Sequence, residues 1–549
     1  MMLCTLIALW SVAAASPDTA AVAAALRASI DAPQLVGARW ADFGDMREGV
    51  RAAYEARGWT PLWLNGQKLT PAAEAVLYEL KTARYRGLDP ADYDAERIGA
   101  FTDSLRTWGD AGIARADAWL SVAVARYAMA LDRGRIDPRT LHPSLRLSRE
   151  PFDAPKILSE VATARQPAQV FRALEPSFYQ YRRLQSVLVT YRILAQDSAR
   201  LVLPELPDRL RPGMTYRGTP QLRRLMTLVG DLRDRSQIER AVEGDTIYDD
   251  ALVRAVRSFQ RRHGFSPDGV VGDSTKSRFA RTFGDRVRQI ELSMERWRWL
   301  PRTFDAPPLI VNIPAFRLDA LHGKEDLESE TLSMDVVVGT AVKHDTPLLA
   351  VEMVALQFQP QWNVPLSIMR NEIRPKALKD STYLERENYE LLRGNVVVPI
   401  TDSAIRAIGA GVRVRQRAGP NNALGRVKFI MPNPEDIYLH DTPSRGHFSR
   451  VRRDFSHGCI RVSDPAALAA FLLRNHAAWS RERVDSAMRG DSTMWVSLPQ
   501  KIPVFLVYQS AEVRESGETF FHRDLYGHDR SLDRALLKGY PYRDPAPRS

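Results

Sequence analysis

Apolar positions change their spacing three times along the chain, and each change predicts a different architecture. Residues 20–240 carry apolar side chains at three- and four-residue intervals. "ADAWLSVAVARYAMALDRGRIDP" is the clearest case, with Gly134 and Pro138 as stop signals. "YEARGWTPLWLNG" and "YRGLDPADYDAERI" are short helix-turn units rich in Trp, Tyr, Gly and Pro, with no catalytic constellation. The pattern predicts a helical scaffold domain. Over 244–285, Leu252, Val256 and Phe259 form one apolar stripe that Asp249 or Asp250 can cap and Gly264 can end. Asp268-Gly269 reads as a turn, and Asp273 or Ser274 as the cap of a second short helix, so this stretch predicts a small helical module.

From 300 to 510 the spacing shortens. "APPLIVNIPAFRLDAL", "LSMDVVVGTAV", "LLAVEMVALQFQPQWNV" and "PVFLVYQSAEV" are β-branched or alternating runs bounded by Gly, Pro and Asp, which predicts a mostly-β domain. "PLSIMRNEIRPKALKDSTYLERENYELL" interrupts it with a polar, helical-looking insertion at about 360–425, placed where a lid over a cleft would sit. The tail, 511–549, reads as polar and helical, and is expected to pack on the scaffold. The fold class expected is multidomain α+β.

The first residues, MMLCTLIALWSVAAAS, combine an apolar run with a small-residue cleavage pattern. Residues 1–16 therefore read as a secretory signal, although a basic n-region is missing. Removal of that segment would take Cys4 with it and leave Cys459 as the sole cysteine of an exported protein, unable to form an intrachain disulfide. The 549 residues are 44% hydrophobic and 26% charged, ordinary for globular domains, with a formal net charge of +11 spread as Arg over many segments. Such a surface suits a polyanionic or carboxylate-rich partner. Without a nucleic-acid motif, and in an exported chain, envelope polymers fit better than nucleic acid.

Chemistry concentrates in "EDIYLH" and "FSHGCIRV", two strand-like runs joined by "DTPSRGHFSRVRRD". Adjacent strands would bring His440 beside Cys459. Alternation along the second run would place His457, Cys459 and Arg461 on one face, with Ile460 and Val462 on the core face. In that setting His440 would take the thiol proton, His457 would orient the site, and backbone N–H groups at Gly458 and Cys459 would receive an oxyanion. Arg461 would hold a substrate carboxylate or the local fold. Zinc is the rival, since His440, His447, His457 and Cys459 are four candidate ligands. Their H-x6-H-x9-H-x-C spacing lacks the short paired turns of zinc sites.

"YLHDTPS…FSHGCIRV" resembles the active-site signature of the L,D-transpeptidases, cysteine acyltransferases of bacterial wall assembly. "PLIVNIPAFRL", "VVVGTAVKHDTP" and "QWNVPLSI" resemble the same domain in its large Gram-negative form. "ARGWTPLW", "GLDPADY" and "RGRIDP" are similar to that form's scaffold, "DLYGHD" to its tail, and "AVRSFQRRHGFSPDGVVG" to a peptidoglycan-binding module. The resemblance implies Cys459 as nucleophile and His440 as acid/base, with His457, Gly458 and Arg461 completing the motif. His447 also precedes the cysteine, but the Tyr-Leu-His-Asp-Thr-Pro match falls on His440. It further implies acyl transfer between peptidoglycan stem peptides in the periplasm, without metal or organic cofactor. Carbapenem-type β-lactams become candidate covalent inhibitors, and other wall-synthesis enzymes candidate partners. Trp362 and Asn363 at the insertion's entrance, and Arg445, Arg450, Arg452 and Arg453 in the loop, are candidate substrate contacts. A carboxypeptidase, an envelope-protein attachment enzyme and a non-catalytic wall-binding protein remain alternatives.

Overall fold

The computed structural model describes residues 19–104, 109–147, 150–197, 201–233, 245–321 and 330–542. The candidate signal segment and Cys4 lie outside them. Among the described residues no helix is long and apolar enough to cross a membrane. The chain divides into two compact units.

The first unit comprises residues up to 136, 149–176 and those from 535 onward. It is helical except for a small ladder, β1 (Leu64–Asn65) with β2 (Lys68–Leu69). Its axis is the helix Gly109–Arg133, buried along most of its length because small residues at every turn let neighbours approach. Asp117 sits wholly inside this unit. Its carboxylate accepts hydrogen bonds from Tyr54 Oη at 2.5 Å and from the N–H groups of Leu62, Trp63 and Leu64 at 2.9, 2.8 and 3.0 Å. Asp117→Ala would strand three buried backbone donors, so we expect a loss of roughly 3 kcal/mol or more, read by denaturant unfolding. Residues 535–542 complete the same core. Tyr540 is buried against Tyr93, at 6.2 Å between ring centroids, and under the Arg126 guanidinium at 4.8 Å. Gly539, at φ +71°, touches Trp40 so closely that a Cβ would lie 2.1 Å from the indole.

The second unit spans 137–148 and 177–534. Its helical part contains Asp250–Arg262, capped by Asp249 accepting from Leu252 N–H at 2.9 Å, and Asp273–Phe279, where Asp273 is the first helical residue instead of the cap. The helices Tyr179–Asp197 and Phe283–Trp299 pack against each other.

The β part contains β3 (Leu309–Asn312), β4 (Arg317–Leu321), β5 (Glu330–Gly339), β6 (Leu349–Phe358), β7 (Trp362–Asn363), β8 (Tyr389–Arg393), β9 (Val396–Val398), β10 (Arg413–Gln416), β11 (Val427–Ile430), β12 (Leu439–His440), β13 (Asp454–Ser456), β14 (Ile460–Val462), β15 (Met494–Val507), β16 (Ala511–Val513) and β17 (Thr519–Phe521). Nine of these strands form one sheet in the order β13-β5-β14-β12-β11-β6-β15-β3-β4. Pairing of β4 with β5 closes it into a barrel-like sheet.

The insertion is more than a polar helix. Its helical first half leads into a second sheet, β7-β10-β8-β9, over a core of its own that includes Met369, Ile373, Leu384, Leu391 and Ile405. "YELL" becomes strand because Tyr389 and Leu391 pack in that core. Residues 511–521 likewise form a hairpin, β16–β17, where the polar texture suggested helix. Val513 and Phe521 bury into the second unit's core.

Candidate active site

Strand register assembles the site. Lys428 on β11 pairs with His440 on β12, His440 with Arg461 on β14, and Arg461 with Val337 on β5. Cross-strand partners project from one face of a sheet, so Lys428, His440 and Arg461 form a row. Tyr438, two residues before His440, and Cys459, two before Arg461, fall one step along the same face. There Ile460 N–H continues the ladder to Tyr438 O at 3.0 Å.

"FSHGCIRV" is not one strand. β13 ends at Ser456 and β14 starts at Ile460, with a bend between them. Gly458 makes the bend at φ +116°, a conformation strained for any side chain, and a Cβ there would also crowd Ile437 at 3.3 Å. Ser456 and Thr346 lock it. Ser456 Oγ donates to Cys459 O at 2.5 Å and accepts from Gly458 N–H at 3.2 Å, and Thr346 Oγ1 donates to Gly458 O at 2.7 Å.

Two expectations change as a result. The imidazole of His457 leaves the row and pairs with Glu372 Oε1 at 2.6 Å, in a π-helical stretch of the insertion, Met369–Ile373. The Gly458 N–H already serves Ser456, so it is not a free oxyanion donor.

His440 is buried, and its Nδ1 lies 2.5 Å from Asp441 O. A carbonyl only accepts, so Nδ1 carries the proton and Nε2 is left with a lone pair. Burial, with help from the Arg461 guanidinium, pushes its pKa down to about 3. The imidazole is neutral and ready to take a proton.

Cys459 is half-buried and free, its Sγ 3.7 Å from Asp436 O. Burial raises its thiol above the ordinary value, while the Tyr438 backbone and hydroxyl, and then the Lys428 charge, pull the other way. The site therefore pairs a neutral thiol with a neutral base.

Arg461 Nη1 donates to His447 Nδ1 at 3.1 Å, which gives His447 a place in the site's wall. The Arg461 Nε is buried without a partner among the described residues. Three of the loop arginines are engaged within the protein, Arg445 with Asp441, Arg452 with Asp454 and Arg453 with Asp335. Among the described residues no His, Cys, Asp and Glu cluster has metal-binding geometry.

Residues 308–489 match the model of the L,D-transpeptidase catalytic domain. Residues 308–489 are thus an L,D-transpeptidase catalytic domain by sequence. Residues 48–188 match a scaffold domain, and 228–278 a model described as "Putative peptidoglycan binding domain". A 255-residue stretch is 34% identical to a Haemophilus influenzae protein named "Putative L,D-transpeptidase", covering 46% of this chain and 50% of that protein. The chain thus spans about half the length of the curated relative it matches.

Two residues of this transpeptidase domain's row, Lys428 and Tyr438, escape sequence reasoning. Lys428 Nζ stands 3.7 Å from the Tyr438 ring centroid, and the Tyr438 hydroxyl lies within hydrogen-bonding reach of both the thiol and the Trp362 indole. Trp362 thus joins the site from β7. Asn363, its neighbour, is exposed and pairs across to Arg415. Period-two spacing from His440 was the available signal for Tyr438. For Tyr438→Phe we expect the thiol to titrate higher and iodoacetamide alkylation at neutral pH to slow by about threefold to tenfold. An unchanged alkylation profile would remove Tyr438 from the thiol's environment.

Proposed function

We propose that this chain is a periplasmic peptidoglycan L,D-transpeptidase with Cys459 as nucleophile and His440 as acid/base. The supporting observation is the shared face of Lys428, His440 and Arg461 in one row and Tyr438 and Cys459 in the next, with a buried neutral imidazole at its centre. The thiol proton passes to His440 Nε2 as Sγ attacks the carbonyl of the third stem residue, diaminopimelate. Collapse of the tetrahedral intermediate breaks the C–N bond, and His440 returns the proton to the departing D-Ala amine. The thioester is then attacked by the side-chain amine of a diaminopimelate on another stem. That amine's proton moves through His440 to the released sulfur, leaving a direct cross-link between third residues.

The Tyr438 hydroxyl, beside the thiol, is the proposed donor to the developing oxyanion, which such donors stabilise by about 3 kcal/mol. Arg461 Nε faces a stem carboxylate or steadies the wall, and Trp362, with Asn363 beside it, borders the stem. Neither metal nor organic cofactor takes part, and carbapenem-type β-lactams would acylate the same sulfur.

Incubation with tetrapeptide stems, followed by intact-protein and product mass analysis, tests the reading. An acyl-enzyme lacking D-Ala together with cross-linked dimers is expected. Tripeptide alone would make the enzyme a carboxypeptidase, and absence of any acyl-enzyme would overturn the proposal.

A further inference from the structure

Away from the barrel, the helical part of the second unit carries a cavity of about 530 Å³ that is partly open to solvent. Its walls are mostly apolar, with Leu203, Leu206, Leu225, Val229, Phe279 and Phe283 among them. Such a volume and lining suit a small amphiphile. Arg278 and Arg286 line it too.

Arg286 is 5% exposed and held from behind. Its Nη1 donates to Gln289 Oε1 at 3.1 Å and its guanidinium lies over Phe521 at 4.7 Å, while Gln289 is fixed by Ser510 O and His522 O at 2.8 and 2.9 Å. Its Nη2 is buried with no hydrogen-bond partner among the described residues. Burial and the neighbouring Arg278 lower Arg286 to about 9, and burial with Arg281 and Arg523 lowers Arg278 to about 10, so both remain cationic at neutral pH. Among the described residues no carboxylate forms an ion pair with either, although Glu205 also lines the cavity. A buried guanidinium left without an anion is costly, and an arriving carboxylate would repay that cost through charge-assisted hydrogen bonds.

We propose that this cavity binds an amphiphilic carboxylate, its acid group on the Arg286 and Arg278 guanidiniums and its acyl chain against Leu203, Leu225 and Phe279. A stem peptide fits less well, since its amides would meet walls with few polar partners. The inference does not depend on the chemistry proposed at Cys459.

Calorimetric titration of the full chain with sodium dodecanoate, below its micelle concentration, tests it. Saturable one-site binding is expected, with dodecanol weaker by about tenfold or more because it lacks the charge. Arg286→Met should weaken dodecanoate similarly and melt at the same temperature as the parent or higher, since it removes an unpaired buried cation. Leu203→Trp fills the cavity from a half-buried loop position and should also abolish binding. Lack of saturation, equal affinity for dodecanol, or unchanged binding by either folded variant would overturn the proposal. Displacement of dodecanoate by a tetrapeptide stem would overturn it in favour of a peptidoglycan subsite.

Discussion

Cys459→Ala is expected to eliminate acyl-enzyme formation on tetrapeptide stems and to lower cross-linking by roughly a thousandfold or more, because Cys459 is the only thiol among the described residues. The fold should tolerate the change. The thiol lies a long 3.7 Å from Asp436 O and beside the Tyr438 hydroxyl, and the bend that carries it is held by Ser456 and Thr346 through the backbone of Gly458 and Cys459. Stability should therefore shift by no more than about 1 kcal/mol. The variant would be followed by intact mass, product analysis and a melting curve together. Cross-linking that persists in a folded Cys459→Ala protein would disprove the nucleophile assignment.

His440→Gln should cost about a hundredfold to ten-thousandfold in kcat, since the amide fills much of the volume but cannot carry a proton between thiol and amine. The pH dependence of the parent enzyme adds a sharper test. A folded-state pKa of about 3 keeps His440 neutral across the working range, so kcat/KM between pH 5 and 8 should show no inflection near 6.5. Burial holds the Cys459 thiol above its ordinary value, so iodoacetamide alkylation should climb steadily with pH, without a reactive plateau at pH 5–6. An imidazolium–thiolate pair would produce that plateau, and finding one would contradict the neutral-pair description.

How much of this was legible in the sequence depended on range. Helix ends written in local chemistry could be read directly, such as the Asp249 cap of Asp250–Arg262. The α+β partition followed from the change of apolar period, and "EDIYLH" and "FSHGCIRV" did supply adjacent strands, β12 and β14. Alternation failed where one glycine interrupted it. A φ of +116° at Gly458 turns His457 out of the row and toward Glu372, a partner in the insertion that no local pattern announces. Lys428 was invisible for a different reason, because its place beside His440 is a register fact between separate segments. The insertion's "YELL" has helix-tolerant composition, and only packing against Ile373 and Leu384 makes it strand. Thr346 lies within "VVVGTAVKHDTP", yet nothing in that run announces that its hydroxyl fixes the Gly458 carbonyl more than a hundred residues on.

The Tyr540 side chain lies in the core of the unit that begins with the first helix, although the whole second unit comes between them in the chain. That wiring sets a timetable. During synthesis the leading helices emerge first but lack the aromatic plug they close around, so the amino-terminal unit cannot reach its final state until the second unit has been made. The barrel, built from continuous chain, is free to finish earlier. A newborn chain would therefore pass an interval with Tyr93 uncovered, a window in which chaperone engagement of the nascent amino-terminal unit would govern yield.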